Sequence, residues 1–111
     1  MKGECIGVYG TFPDQETAGR LARTLVEEEL IACANLFPIA SVYRWKGAIE
    51  EADEWGAWLK TRRELFPALQ ERVRELHPYE VPALVAYEIA GGIPAYLAWI
   101  EESTRPVDAC G

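Results

Sequence analysis

Lys46-Gly47 stands between two long apolar-rich limbs, and the pairing of those limbs constrains this chain more than any other feature. Ala40 to Trp45 reads as a strand, Ala48 to Arg62 as its return limb, and the glycine supplies the positive φ that a tight hairpin turn requires. Within the return limb Trp55, Ala57 and Leu59 alternate with Gly56, Trp58 and Lys60, the period of a strand with two different faces. A hairpin this long reaches beyond the single modest core that 111 residues can build. A projecting strand needs something to pair with, so the hairpin predicts an oligomer. The acidic run Glu50, Glu51, Asp53 and Glu54 reads as a solvated tip that discourages edge pairing. A hard-cation site is the other reading, without the spacing of an EF-hand.

The flanking patterns complete a fold. Ile6 to Phe12 is an apolar strand whose Gly7 and Gly10 mark a close approach or a bend. Pro13-Asp14 offers a break and an N-cap, after which Ala18, Leu21, Ala22, Leu25 and Val26 recur at helical spacing for about four turns. Ile31 to Leu36 is small and apolar, and Phe37-Pro38 interrupts it; a proline there implies an edge strand or a bulge. A second helix starts near Glu64 or Leu65, with Pro67 in its first turn, and carries Leu65, Leu69, Val73 and Leu76 on one side. Ala83 to Ile89 is a last strand, Pro94 opens a short helix bearing Tyr96, Leu97 and Ile100, and Thr104 to Gly111 reads as a loose tail. This order predicts one α+β domain over residues 1–111, a ferredoxin-like sandwich of β-α-β-β-α-β with a short C-terminal helix.

Leu76-His77-Pro78-Tyr79-Glu80-Val81-Pro82 holds the only histidine. Each proline restrains the residue before it toward extended geometry, so His77 should end the second helix. His77 has two readings. It is a ligand for copper or zinc, completed by carboxylates or a cysteine from elsewhere, or a helix C-terminal residue whose ring N–H serves nearby carbonyls. Lys60, mid-strand among aromatics, must find a carboxylate, a ring face or an anionic ligand, and Glu80 and Glu88 are the carboxylates within the pattern.

With 18 acidic against 11 basic side chains the net charge is −7, which disfavours nucleic acid and anionic membrane as partners. Cys5, Cys33 and Cys110 show no C-x-x-C spacing, so neither a disulfide scaffold nor a closed zinc site is indicated. Cys33 reads as a small buried hydrophobe, and Cys5 and Cys110 as exposed thiols near the termini. Met1 to Gly10 lacks the apolar core of a signal peptide and no run approaches membrane-spanning length, so a soluble, cytoplasmic protein is expected. Four Trp, five Tyr and three Phe exceed what one small core hides, again favouring burial against another subunit. No nucleotide-binding, nucleophile-elbow or H-E-x-x-H motif is present, and no catalytic residue is assigned.

Five motifs then follow one another in order: Glu27-Glu28-Glu29-Leu30-Ile31-Ala32-Cys33-Ala34-Asn35, Tyr43-Arg44-Trp45-Lys46-Gly47, Lys60-Thr61, His77-Pro78-Tyr79-Glu80-Val81-Pro82 and Ala95-Tyr96-Leu97-Ala98-Trp99-Ile100. Together, from about Ile6 to Glu101, they resemble the divalent-cation-tolerance proteins of the CutA family. The resemblance implies a homotrimer of ferredoxin-like subunits, similar in architecture to the PII-type signalling proteins. Long hairpins and C-terminal segments then pair between neighbours. It implies a non-enzymatic role in tolerance of copper and other divalent cations, with Cu2+ or a similar ion held weakly through His77. It also implies an inter-subunit cleft lined by Lys60, Tyr43, Trp45, Tyr79, Glu80 and Trp99, where a PII-like module would hold a small anionic metabolite. Two positions depart from relatives that bind metal: Gly10 stands where some have a cysteine, and Leu76 where some have a second histidine.

Overall fold

The computed structural model describes residues 5–107. They form β1 (Cys5–Phe12), α1 (Gln15–Glu27), β2 (Cys33–Trp45), β3 (Ala48–Arg62), α2 (Phe66–Leu76), β4 (Leu84–Glu88) and α3 (Pro94–Glu102), with a 3-10 turn at Arg63–Leu65 leading into α2. One four-stranded antiparallel sheet has the order β2-β3-β1-β4. β3 pairs antiparallel with both β1 and β2, so those two run parallel with β3 inserted between them.

The hairpin is as long as its limbs promised: β2 and β3 pair from Cys33↔Lys60 to Trp45↔Ala48. Lys46 and Gly47 both take positive φ, 50° and 84°, the combination whose twist matches the flanking strands. The pairing passes through Phe37↔Gly56 and Pro38↔Trp55, which corrects the expected interruption at Phe37-Pro38. β2 is an edge strand, where a missing N–H leaves no ladder bond unmade. A Cβ at Gly56 would stand 2.7 Å from the Phe37 ring, so glycine lets that ring lie flat across the neighbouring strand.

Asp14 caps α1 by accepting from the Thr17 N–H at 2.8 Å. The helix closes on Glu29 at φ 61°, with Glu29 N–H bonded to Val26 O and Leu30 N–H to Leu25 O. α1 and α2 cover one face of the sheet. Leu21, Leu25, Leu69 and Val73 pack there against Ile6, Val8, Ala57 and Leu59, each large apolar chain contributing about 1.5–3 kcal/mol on burial. α3 covers only one end of the opposite face, where Ile100 joins Cys5 and Ala32. Along the rest of that face Tyr9 lies 6.3 Å from Phe37 and 5.4 Å from Trp58, and Trp58 lies 5.5 Å from Tyr87, ring centroid to centroid. Trp58, Tyr87 and Val85 are exposed there.

Two expectations near the termini change. Cys5 is buried, its Sγ directed at Leu97 O, and burial pushes its thiol pKa up. The tail is held as far as it is described: buried Thr104 accepts from Arg62 Nε at 2.9 Å, and Arg105 N–H bonds to Glu29 O. Cys110 lies outside the described residues. No helix among them is long and apolar enough to cross a membrane.

Candidate functional site

α2 ends where the prolines demand. His77 takes extended φ/ψ, and its N–H still closes the helix on Val73 O at 2.8 Å. The side chain is buried between Phe12 and Tyr79, ring centroids 5.0 and 4.8 Å away. Tyr79 N–H donates to Nδ1 at 3.1 Å, which leaves the proton on Nε2, and Nε2–H donates to Thr11 O at 2.8 Å. Burial, partly offset by Thr11 and by the Glu54 charge, holds the imidazole below its usual pKa. The ring thus joins the loop after α2 to β1, a strand carbonyl rather than the helix carbonyls that its position first implied.

Fixing the His77-Pro78-Tyr79 corner aims Tyr79 at the hairpin. Tyr79 Oη donates to Glu54 Oε2 at 2.5 Å, and burial together with that bond drives the phenol pKa strongly upward. Glu54 is only 7% exposed, whereas Glu50, Glu51 and Asp53 are solvated as expected. The solvated-tip reading is therefore corrected for Glu54. Its parity on β3 is that of Gly56, Trp58 and Lys60, but Glu50 shares it, so the sequence does not set Glu54 apart from its acidic neighbours; in the structure its register partner is the apolar Ile39.

Above this pair lies a cavity of about 690 Å³ whose walls include Tyr43, Trp45, Glu54, Tyr79 and Glu80, with Thr11 and Ser41 as small polar residues. Of the six expected cleft residues, four thus meet in one subunit. The other two lie elsewhere. Lys60 Nζ donates to Asn35 Oδ1 at 3.0 Å and sits 5.8 Å from the centre of the Tyr96 ring, which stacks on Trp99 at 5.5 Å. Lys60 lies six residue steps along β3 from Glu54, about 20 Å at strand rise, so one chain cannot bring the two groups together. Of the partners expected for it, Lys60 has found a ring face, with an amide beside it; of the two carboxylates considered, Glu88 pairs with Arg63 at 2.8 Å.

Asn35 and Tyr96, which the sequence offered no reason to weigh as site residues, belong to this second group, and so does Cys33, read from the sequence as a small buried hydrophobe. Cys33 is half-buried, with Sγ 3.5 Å from Tyr96 Oη, and this contact with some burial pushes the phenol up to about 12. Register pairing sets Cys33 directly opposite Lys60.

A specific copper or zinc site needs three or four converging donors. Among the described residues no group of three or more His, Cys, Asp or Glu side chains is arranged to hold a metal ion. Both nitrogens of His77 are already engaged, and Gly10 offers no ligand. The residues present fit a weak contact through Glu54 and Glu80, not a closed metal centre.

Known proteins resemble this chain along most of its length. A family model described as CutA1 divalent ion tolerance protein matches residues 6–103. The divalent-cation tolerance protein CutA of Pyrococcus horikoshii is 49% identical over 98 residues, covering 88% of this chain and 96% of that protein. Protein CutA of Mus musculus is 43% identical over 112 residues and covers 100% of this chain, which spans 63% of the mouse protein. The crystal structure of CutA1 from Oryza sativa superposes with a TM-score of 0.92 at 42% identity, over 95% of this chain and 97% of that one.

Proposed function

The chain belongs to the CutA1 divalent ion tolerance family, and from that premise we propose that it serves tolerance of divalent cations as a cytoplasmic, non-catalytic homotrimer of ferredoxin-like subunits. The observation that carries the cation reading is Glu54, a buried carboxylate on a cavity wall with Glu80 beside it and no cationic partner among the described residues. Cu2+ or a similar ion is held there weakly, through the two carboxylates; His77 joins only if Nδ1 exchanges the Tyr79 N–H for the metal. The trimer reading draws support from the aromatic row Tyr9, Phe37, Trp58 and Tyr87, in which Trp58 and Tyr87 are exposed beside Val85, an apolar face suited to burial against another subunit.

Calorimetry with Cu2+ on the intact protein, on Glu54→Gln and on His77→Ala tests the metal reading. Loss of heat in Glu54→Gln is expected, and equal affinity in all three proteins overturns it. Light scattering tests the assembly: a mass of three chains is expected, and a monomer overturns the trimer.

Lys60 favours a second reading. Its ammonium has no carboxylate among the described residues and lies beside Tyr96 and Trp99, so a small anionic metabolite is the PII-like alternative at this end of the cleft. A metabolite that raises Tm in the native protein but not in Lys60→Ala would establish it.

A further inference from the structure

The cavity beside Glu54 is larger than a metal ion needs and poorer in donors than one requires. About 690 Å³ falls within the range of small-molecule sites, and only two carboxylates, Glu54 and Glu80, line it. Glu54 is 7% exposed and has one hydrogen-bond donor, the Tyr79 hydroxyl, for a carboxylate that can accept about four. A carboxylate taken this far from water wants a compensating positive charge. The same walls carry the rings of Tyr43, Trp45 and Tyr79. Aromatic faces attract ammonium and guanidinium groups through their quadrupole, most strongly where water is excluded. They add nothing for an anion, which Glu54 and Glu80 repel.

We infer that this cavity is a receptor for an organic ammonium group, held by the Glu54 carboxylate among the rings of Tyr43, Trp45 and Tyr79. The inference shares with the metal reading the premise that the cavity is a cation site, but not the metal. Two sources carry the same chemistry: a free alkylamine, or the Lys60 ammonium of a second copy of this chain. The second follows from a complementarity on the page. Among the described residues Glu54 has no cation and Lys60 no carboxylate, and about 20 Å of strand separates them within one subunit. Contact between copies is then what allows the two to meet.

The test is a titration of n-butylammonium chloride, a lysine side-chain mimic, with n-butanol as the uncharged control. Tryptophan fluorescence and calorimetry are read on the native protein, on Lys60→Met, on Glu54→Gln and on the double variant, with far-UV circular dichroism confirming the fold; Glu54→Asp keeps the charge should the amide variant unfold. Saturable binding to the native protein, at least tenfold weaker in Glu54→Gln and absent for n-butanol, establishes the free amine. Binding that appears only in Lys60→Met, and disappears in the double variant, establishes Lys60 of a second copy as the resident cation. No saturable binding in either background, or binding indifferent to Glu54→Gln, overturns the inference. A Cu2+ titration of the same samples separates the two readings. Copper heat at Glu54 without amine binding defeats this inference alone, and amine binding without copper heat defeats only the metal.

Discussion

Tyr79 donates its phenolic proton to Glu54 across 2.5 Å, and in doing so it ties the loop after α2 to the base of the projecting hairpin. Tyr79 is itself held by His77, whose Nδ1 accepts the Tyr79 N–H while Nε2–H reaches Thr11 on β1. Three parts of the chain distant in sequence are thereby fixed around one cavity.

Tyr79→Phe removes the only donor that the buried Glu54 carboxylate has among the described residues. A hydrogen bond to a charged group contributes about 1.5–3 kcal/mol, so urea denaturation should show a loss of that order. The loss should shrink when Glu54 is already Gln. A full loss in both backgrounds would mean that the bond contributes nothing and that the ring's packing explains the effect.

The raised Tyr79 pKa has its own consequence. Burial and Glu54 favour the protonated phenol in the folded state, so the associated stability is intact below pH 10, the ordinary tyrosine value, and is lost as pH rises beyond it. Ultraviolet titration should find as many tyrosines ionising near pH 10 in Tyr79→Phe as in the native protein, although the native chain has one phenol more. Loss of one ionising tyrosine in the variant would contradict this.

His77 runs in the opposite sense. Its folded pKa is depressed, so neutral imidazole is favoured and the stabilisation is present above about pH 6.5. As pH falls below that value the unfolded chain takes up a proton that the folded ring resists, and stability declines. Thermal melts between pH 7.5 and 5 should show a steeper fall in Tm for the native protein than for His77→Gln. Parallel curves would rule out His77 as the source.

Gly56→Ala places a Cβ where the Phe37 ring stands 2.7 Å away. Overpacking of this kind costs about 1–3 kcal/mol, and Phe37→Leu in the same chain should recover most of it. Failure of the second substitution to rescue would show that the strand, not the ring, resists the methyl.

Leu69→Ala opens a hole in the one core that α1 and α2 share, where Leu69 is fully buried. A loss of about 2–5 kcal/mol is expected from the chemical midpoint. A loss under 1 kcal/mol would mean that the helix pair collapses to fill the space.

Much of the fold was legible because local chemistry specified it. Asp14 is a cap wherever a helix follows it, Gly47 accepts positive φ at little cost, and Pro78 and Pro82 stiffen any segment that contains them. The strand period of β3 correctly separated Ala57 and Leu59 from Trp58 and Lys60. Pro38 rightly implied an edge strand but not the interruption expected with it, because a proline's missing N–H breaks a strand only if a neighbour needs it. Glu54 misled for a related reason. In sequence it is one of four acids, and only the return of Tyr79 over the hairpin distinguishes it.

By itself, then, the sequence determined the elements, their boundaries to within a few residues and the family to which the chain belongs, since these depend on neighbours one or a few positions apart and on motifs kept in order. Tertiary structure alone decided the site. It brought Thr11, Glu54 and Tyr79 together from three parts of the chain, committed both nitrogens of His77 to hydrogen bonds, and left Lys60 about 20 Å from the buried Glu54 carboxylate. Burial and pairing are properties of what packs opposite a residue, and no stretch of chain carries that information alone.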